Sequence, residues 1–313
     1  MSYSVPKNPS HCHRTCLMSI NVVNFGAKPD GQSDSTQPFL QAWTAACNSM
    51  GPSTIYVPRG SFLIRPIVFS GPCRNTIQFQ IDGTIVAPFN YRALGNSGFW
   101  ILFIKVTRVS IHGGTLDARG AAFWACRMSG NNCPVGARSI TFFWSNNIMI
   151  SGLTSINSQI IHVAIDHCNN LMIQNMKIIA PSQSPNTDGI HVQYSNGVTI
   201  TSTTIRTGDD CISIGPGTKN SWIERIGCGP GHGISVGSLG NSLIEEGVEN
   251  VTVTRVVFTN TENGVRIKSW GRASSGYARN IVFRNIIVRN VANPIIIDQK
   301  YCPDNNCPHQ VTT

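Results

Sequence analysis

Four titratable side chains are spaced so that chemistry could pass between them. Asp188, Asp210 and His232 each stand two residues before a short alternating run, Ile190-His191-Val192, Ile212-Ser213-Ile214 and Ile234-Ser235-Val236, and 22 residues separate each from the next. Asp209 places a second carboxylate beside Asp210. If 22 residues make one structural repeat, these side chains share a phase and stack on one face. A lone Asp before a strand is an ordinary turn residue. Three carboxylates with a His are different, because clustered like charges repel, and the chain has only 15 acids to distribute. One place after each apolar start come His191, Ser213, Ser235 and Arg266, and two further on Gln193, Gly215, Gly237 and Lys268. Small residues with basic groups to one side describe an open groove with a cationic wall. One carboxyl can protonate a leaving oxygen while another activates water, and Arg and Lys can hold substrate carboxylates; the set suits hydrolysis of an acidic polysaccharide.

Elements that stack at a fixed interval must position these residues. A first column of segments, Asn/Gly-apolar-x-apolar, recurs at Asn147-Ile148-Met149-Ile150, Asn170-Leu171-Met172-Ile173, Gly197-Val198-Thr199-Ile200, Asn250-Val251-Thr252-Val253 and Asn280-Ile281-Val282-Phe283, with room for one more around Ser221-Trp222-Ile223. A second column reads Ile161-His162-Val163, the three runs already named, Val265-Arg266-Ile267 and Ile295-Ile296-Ile297. Alternation is the strand period, and repeats of 20 to 50 residues mark a stacked array. Two or more strands per repeat without helical patterns between them predict an all-β, single-stranded, right-handed parallel β-helix. Segments 76–81 and 106–111 read as earlier rungs, and 36–48 as the one plausible helix, capping the N-terminal end. Composition agrees: charged residues are 12% and apolar ones 41%, with 29 Gly and 28 Asn, which excludes disorder and coiled coil. The formal charge of +9 by itself asks only for a polyanionic partner.

The motifs Asn186-Thr187-Asp188, Gly208-Asp209-Asp210, Gly231-His232-Gly233 and Arg266-Ile267-Lys268 resemble the four signature motifs of the polygalacturonases, glycoside hydrolase family 28, in the family's order. The flanking SPNTDGIHV, TGDDCISIGPG, CGPGHGISVGSLG and NGVRIKSWGR are similar to the plant, pollen-type branch, associated with exo-acting enzymes. The resemblance runs from about Val22 to Val311. It implies a pectin-lyase-like solenoid and an inverting, metal-independent hydrolysis of α-1,4-linked galacturonan, with no cofactor. It further implies Asp209 as general acid, Asp188 and Asp210 as activators of water, and His232 as tuner of the acid. Arg266 and Lys268 would grip a galacturonate carboxylate, Tyr301 would contact substrate, and Asn186 would orient the site. Adjacent rungs set Asp188 and Asp210 roughly 5 Å apart, about the separation that the general distance rule assigns to retaining enzymes, although the family inverts.

Other expectations follow from the same reading. Eleven cysteines include three close pairs, Cys126/Cys133, Cys211/Cys228 and Cys302/Cys307, and the odd total leaves a thiol over. With the sequon Asn250-Val251-Thr252 they point to a secreted, cell-wall protein, although residues 1–20 lack the apolar run of a secretion signal. Those residues read as a leader, and 21–313 as one monomeric β-helix domain cut short at its C-terminal end. The pectic substrate is the partner; no nucleic acid or membrane is expected. His11-Cys12-His13 with Cys16 lacks the second half of a zinc site, and Gly227–Gly233 lacks the Lys-Ser/Thr of a phosphate loop. His112, His162 and His167 show no partners in the sequence.

Overall fold

The computed structural model describes residues 18–303 and residue 307. The chain winds along three faces of parallel strands, each turn placing its strands beside those of the turn before; the first and second sheets are two arms of one 16-stranded sheet, and the third is separate. The first sheet begins with Met18–Asn21, Ser53–Val57, Ile77–Ile81, Thr107–His112, Asn146–Ser151 and Asn169–Gln174. The second begins with Asp30–Asp34 and continues through Ser61–Leu63, Thr84–Val86, Thr115–Asp117, Thr154–Ile156 and Lys177–Ile179. From Asn196–Arg206 onward, single long strands (Lys219–Cys228, Val248–Thr259, Ala278–Arg289) bend across both. The third sheet has nine strands, from Ile67–Ser70 to Asn293–Tyr301. Every strand pairing is parallel, as the right-handed crossover rule leads one to expect of a coil that returns to the same sheet.

The recurring Asn has a physical cause. Asn147, Asn170, Asn220, Asn250 and Asn280 all have φ between 53° and 56°, with Gly197 at 69°. They form the corner at which the chain enters the first sheet, and only Gly, Asn and Asp adopt that left-handed conformation cheaply. The amides also bond along the stack: Asn170 Nδ2 donates to Asn147 Oδ1 and Asn250 Nδ2 to Asn220 Oδ1, both at 2.6 Å. Inside, the apolar positions of all three sheets merge into one continuous core of Ile, Val and Phe. The sixth member of the first column falls where expected, with Ile200, Ile223 and Val253 in register.

Helix Thr36–Asn48 has the bounds read from the sequence. It packs on Met18–Asn21, Ser53–Val57 and Ile67–Ser70, and its Trp43 meets Phe69, Phe79 and Phe103, covering the first rung's core. It is not the only helix. Ala121–Met128 forms a second, in the long connection between Thr115–Asp117 and Arg138–Phe143. Phe123 and Trp124 bury against Ala180, and Cys126–Cys133 staples the segment.

One register differs from the sequence reading. Val163, not Ile161, pairs with Ile190, so the run at 161–163 starts two residues early. His162 is thereby turned into the core, wholly buried, with Nδ1 2.9 Å from Ser155 Oγ, and burial pushes its pKa down to about 3. His167 also has a partner, bonding through Nδ1 to Asp166. The three close pairs are each disulfide-bonded, a connectivity that spacing alone left open, and Cys47–Cys73 is a fourth bond among the described residues; Cys168 is a buried free thiol. The His-Cys-His segment at 11–13 and Cys16 lie outside the described residues. No helix among the described residues is long and apolar enough to cross a membrane.

Candidate active site

The 22-residue interval is one turn of the coil. Ile190, Ile212 and Ile234 stand opposite one another, followed by Val265 and Ile295. Their outward neighbours His191, Ser213, Ser235 and Arg266 therefore form one rank on the third sheet. Asp188, Asp209 and Asp210 come together just before these strands, each offering a carboxylate oxygen within 4.8 Å of the others. Gly237 keeps the floor close to the next rung: a Cβ there would lie 2.2 Å from the Lys268 carbonyl oxygen.

Each carboxylate has a different environment. Asp210 is 1% exposed and fully engaged. Its Oδ1 accepts from Ser235 Oγ and from an Arg266 guanidinium nitrogen, both at 2.8 Å, and its Oδ2 accepts from Lys268 Nζ at 2.9 Å. Arg266 also donates from Nε to Ser235 Oγ at 2.9 Å. Both cations thus have a partner within the protein, where the sequence reading had them facing only substrate.

Asp209 is half-buried and lies 3.1 Å from His232 Nδ1, with its Oδ1 also accepting from the Asp210 backbone N–H at 2.8 Å. Burial works to raise its pKa, but the His232 hydrogen bond and charge, that N–H and Lys268 outweigh it and hold the carboxyl below its ordinary value. The same hydrogen bond raises His232 above the usual imidazole range against its own desolvation, helped by Glu262, whose carboxylate is 3.5 Å from Nε2. The pair is an ion pair with an acidic proton between its partners.

Asp188 has no cation of its own in hydrogen-bond contact; its bonded neighbour is Ser213, with Oγ 2.7 Å from Oδ2. Burial first, then the charges of Asp209 and Asp210, raise its pKa to about 8. His191 Nδ1 lies 2.7 Å from the same Ser213 Oγ. Tyr301 closes the far side, its ring 5.0 Å from Lys268 Nζ and edge-on to Trp270. Asn186 is exposed at a left-handed corner, φ 56°, and its Oδ1 accepts from Arg127 at 3.4 Å. Arg127 belongs to the second helix, so that insertion reaches the rim of the groove.

The repeat spacing brought Asp188, Asp209, Asp210, His232, His191, Arg266 and Lys268 to one face, and the family resemblance added Tyr301 beside Lys268 and Asn186 at the rim. Neither assigned roles to Ser213 and Ser235, although the spacing placed both outward in the right rank. Arg127, Asp166 and Glu262 were missed, because each reaches the site through a loop or a neighbouring rung. As for a metal, the three carboxylates are close enough to share one, but Arg266, Lys268 and His232 already offset the charge of Asp210 and Asp209.

The profile of Glycosyl hydrolases family 28 matches residues 47–313. A curated "Polygalacturonase" of Prunus persica is 56% identical over 298 residues, 94% of this chain and 76% of the relative. An "Exopolygalacturonase" of Platanus acerifolia is 42% identical, over 93% of this chain and 78% of the relative. Among solved structures, the polygalacturonase of Erwinia carotovora superposes with a TM-score of 0.75 at 26% identity, covering 99% of this chain and 86% of the other. The fold is thus the right-handed parallel β-helix of these enzymes, and with its family profile matched and its relatives covered over most of their length, the chain belongs to glycoside hydrolase family 28.

Proposed function

We propose that this chain hydrolyses α-1,4-galacturonosyl bonds of pectic polygalacturonan and works from chain ends, releasing galacturonic acid. The observation that carries this is the cluster of three carboxylates in three different electrostatic states, beside Arg266 and Lys268, on the open face of the coil. Different states within one cluster are what separate an acid from a base. The names of the peach and plane-tree relatives supply the substrate and, for the latter, the exo mode.

In the reacting form Asp209 carries the proton, with His232 behind it, and Asp188 is ionised; Asp209 protonates the glycosidic oxygen as the bond to the leaving sugar breaks. Asp188 accepts a proton from water as that water's oxygen bonds to the anomeric carbon from the opposite face. Asp210 fixes Arg266 and Lys268, whose remaining N–H groups receive a galacturonate carboxylate, and Tyr301 lies against the sugar. Asn186, held by Arg127, shapes the rim. The close spacing of the carboxylates would suggest retention under the usual distance rule; the family resemblance favours inversion. We place the enzyme outside the cell, at the wall, as a monomer; the four disulfides agree with an oxidising compartment.

Digestion of a defined oligogalacturonate tests the reading. Galacturonic acid as the sole early product is expected. A mixture of shorter oligomers would make the enzyme endo-acting, and no products, or products carrying a ring double bond, would overturn hydrolysis itself.

A further inference from the structure

A line of hydrogen bonds leads away from Asp188 along the groove, and each link dictates the next. It ends at Asp166, whose Oδ1 bonds His167 Nδ1 and whose Oδ2 accepts from Gln193 Nε2 at 2.8 Å. A carboxylate only accepts, so the Gln193 amide must turn its nitrogen there and its oxygen toward His191. Gln193 Oε1 is 3.2 Å from His191 Nε2. An amide oxygen also only accepts, so His191 carries a hydrogen on Nε2. Burial lowers the His191 pKa and so favours the neutral ring; a neutral ring with its hydrogen on Nε2 has a bare Nδ1.

That bare nitrogen lies 2.7 Å from Ser213 Oγ and must accept the Ser213 hydrogen. Ser213 has only one. Yet Asp188 Oδ2 is also 2.7 Å from Ser213 Oγ, and two lone pairs do not face each other at that distance without a proton between them. The hydrogen there has to belong to Asp188.

We propose that Asp166, Gln193, His191 and Ser213 form a positioning chain that keeps the resting proton of the catalytic carboxylates on Asp188 Oδ2, while Asp209 and Asp210 are held by their own cationic partners. The charges around the chain agree. Asp188 faces Asp209, Asp210 and Lys268, and its pKa is raised to about 8; His191 faces Arg138, Asp166 and Asp210; Asp209 is matched by His232 and Asp210 by Arg266 and Lys268.

The consequence for catalysis, which rests on the hydrolytic reading above, is a stored proton. In the reacting form the O–H of Asp188 breaks and one forms on Asp209, with no change in net charge and no exchange with solvent. With Ser213 committed to His191, the Asp188 carboxylate left behind faces a Ser213 lone pair, a repulsion that is relieved when Asp188 takes a proton from water.

The tautomer of His191 tests this independently of activity. Imidazole nitrogen NMR of the full chain, with the His191 signal identified by its loss in His191→Asn, should show a neutral ring protonated on Nε2 at neutral pH. Protonation on Nδ1, or an imidazolium, would overturn the chain. In a second arm, Gln193→Met removes the acceptor that fixes the tautomer. The alkaline limb of the kcat/KM profile should then move down by about one pH unit, a tenfold change in the proton equilibrium, with KM within about twofold of wild type. Loss of activity that is uniform across pH, with the limb unmoved, would reduce the residues to structural support. Should the wild-type chain fail to hydrolyse galacturonan, the hydrolytic reading falls and the NMR result still decides the positioning chain.

Discussion

Lys268 Nζ lies 2.9 Å from Asp210 Oδ2, with the two side chains only 10% and 1% exposed. Breaking the pair leaves Asp210 buried with Arg266 as its one remaining cation; losing one member of a buried pair typically costs about 3–5 kcal/mol, and the Arg266 bond keeps the loss toward the lower figure. Lys268→Met is therefore expected to lower the denaturant midpoint by an amount of that order and to abolish hydrolysis. Combining it with Asp210→Asn should recover part of the stability and none of the activity, which a double-mutant cycle read by urea unfolding and by reducing-end release will show.

Asp188 makes the opposite trade. Its folded-state pKa of about 8 stands above the ordinary 3.8. Between those values the folded chain keeps a proton that the unfolded chain has released, so stability present at low pH is lost as pH rises toward 8. Asp188→Asn cannot ionise and escapes that loss. The variant should be inactive yet melt about 2 °C or more above wild type near pH 8, with the difference shrinking toward zero below about pH 4. Thermal melts at the two pH values check both the sign and its disappearance.

Cys211–Cys228 spans 17 residues and anchors the position next to Asp210. Closing a loop of that length stabilises by about 3 kcal/mol in the chain-entropy account. Replacing both cysteines with Ala should lower stability by about that amount. Because Cys211 is wholly buried and directly follows Asp210 in the chain, kcat should fall as well. Urea unfolding together with initial rates on polygalacturonate measures both effects.

The coil was legible in the sequence because its corners and core repeat: Asn, or Gly at 197, recurs at the left-handed corners of the first column, and the apolar alternation fixes which side of each strand is wet. The site was legible for the same reason, since an equal interval between Asp188, Asp210 and His232 means an equal position on successive rungs. Features that break the repeat were not. Helix Ala121–Met128 belongs to no rung, so Arg127 could not be connected with Asn186. The run at Ile161 shows alternation two residues before pairing begins, which concealed that His162 faces inward. The engagement of Arg266 and Lys268 by Asp210 was hidden because rung lengths differ. The turn from Ser235 to Arg266 is longer than the 22-residue turns before it, and the bonds cross it diagonally.

In the proposed mechanism Asp209 delivers the proton to the departing sugar. Asp209→Asn retains the shape and loses the acid, and general acid catalysis is worth about 10²–10⁴ in rate. The release of reducing ends from polygalacturonate by Asp209→Asn, measured beside wild type at the same pH, is the direct test. A fall of at least about 100-fold is predicted, with the fold intact by thermal melt; activity near the wild-type level would contradict the account.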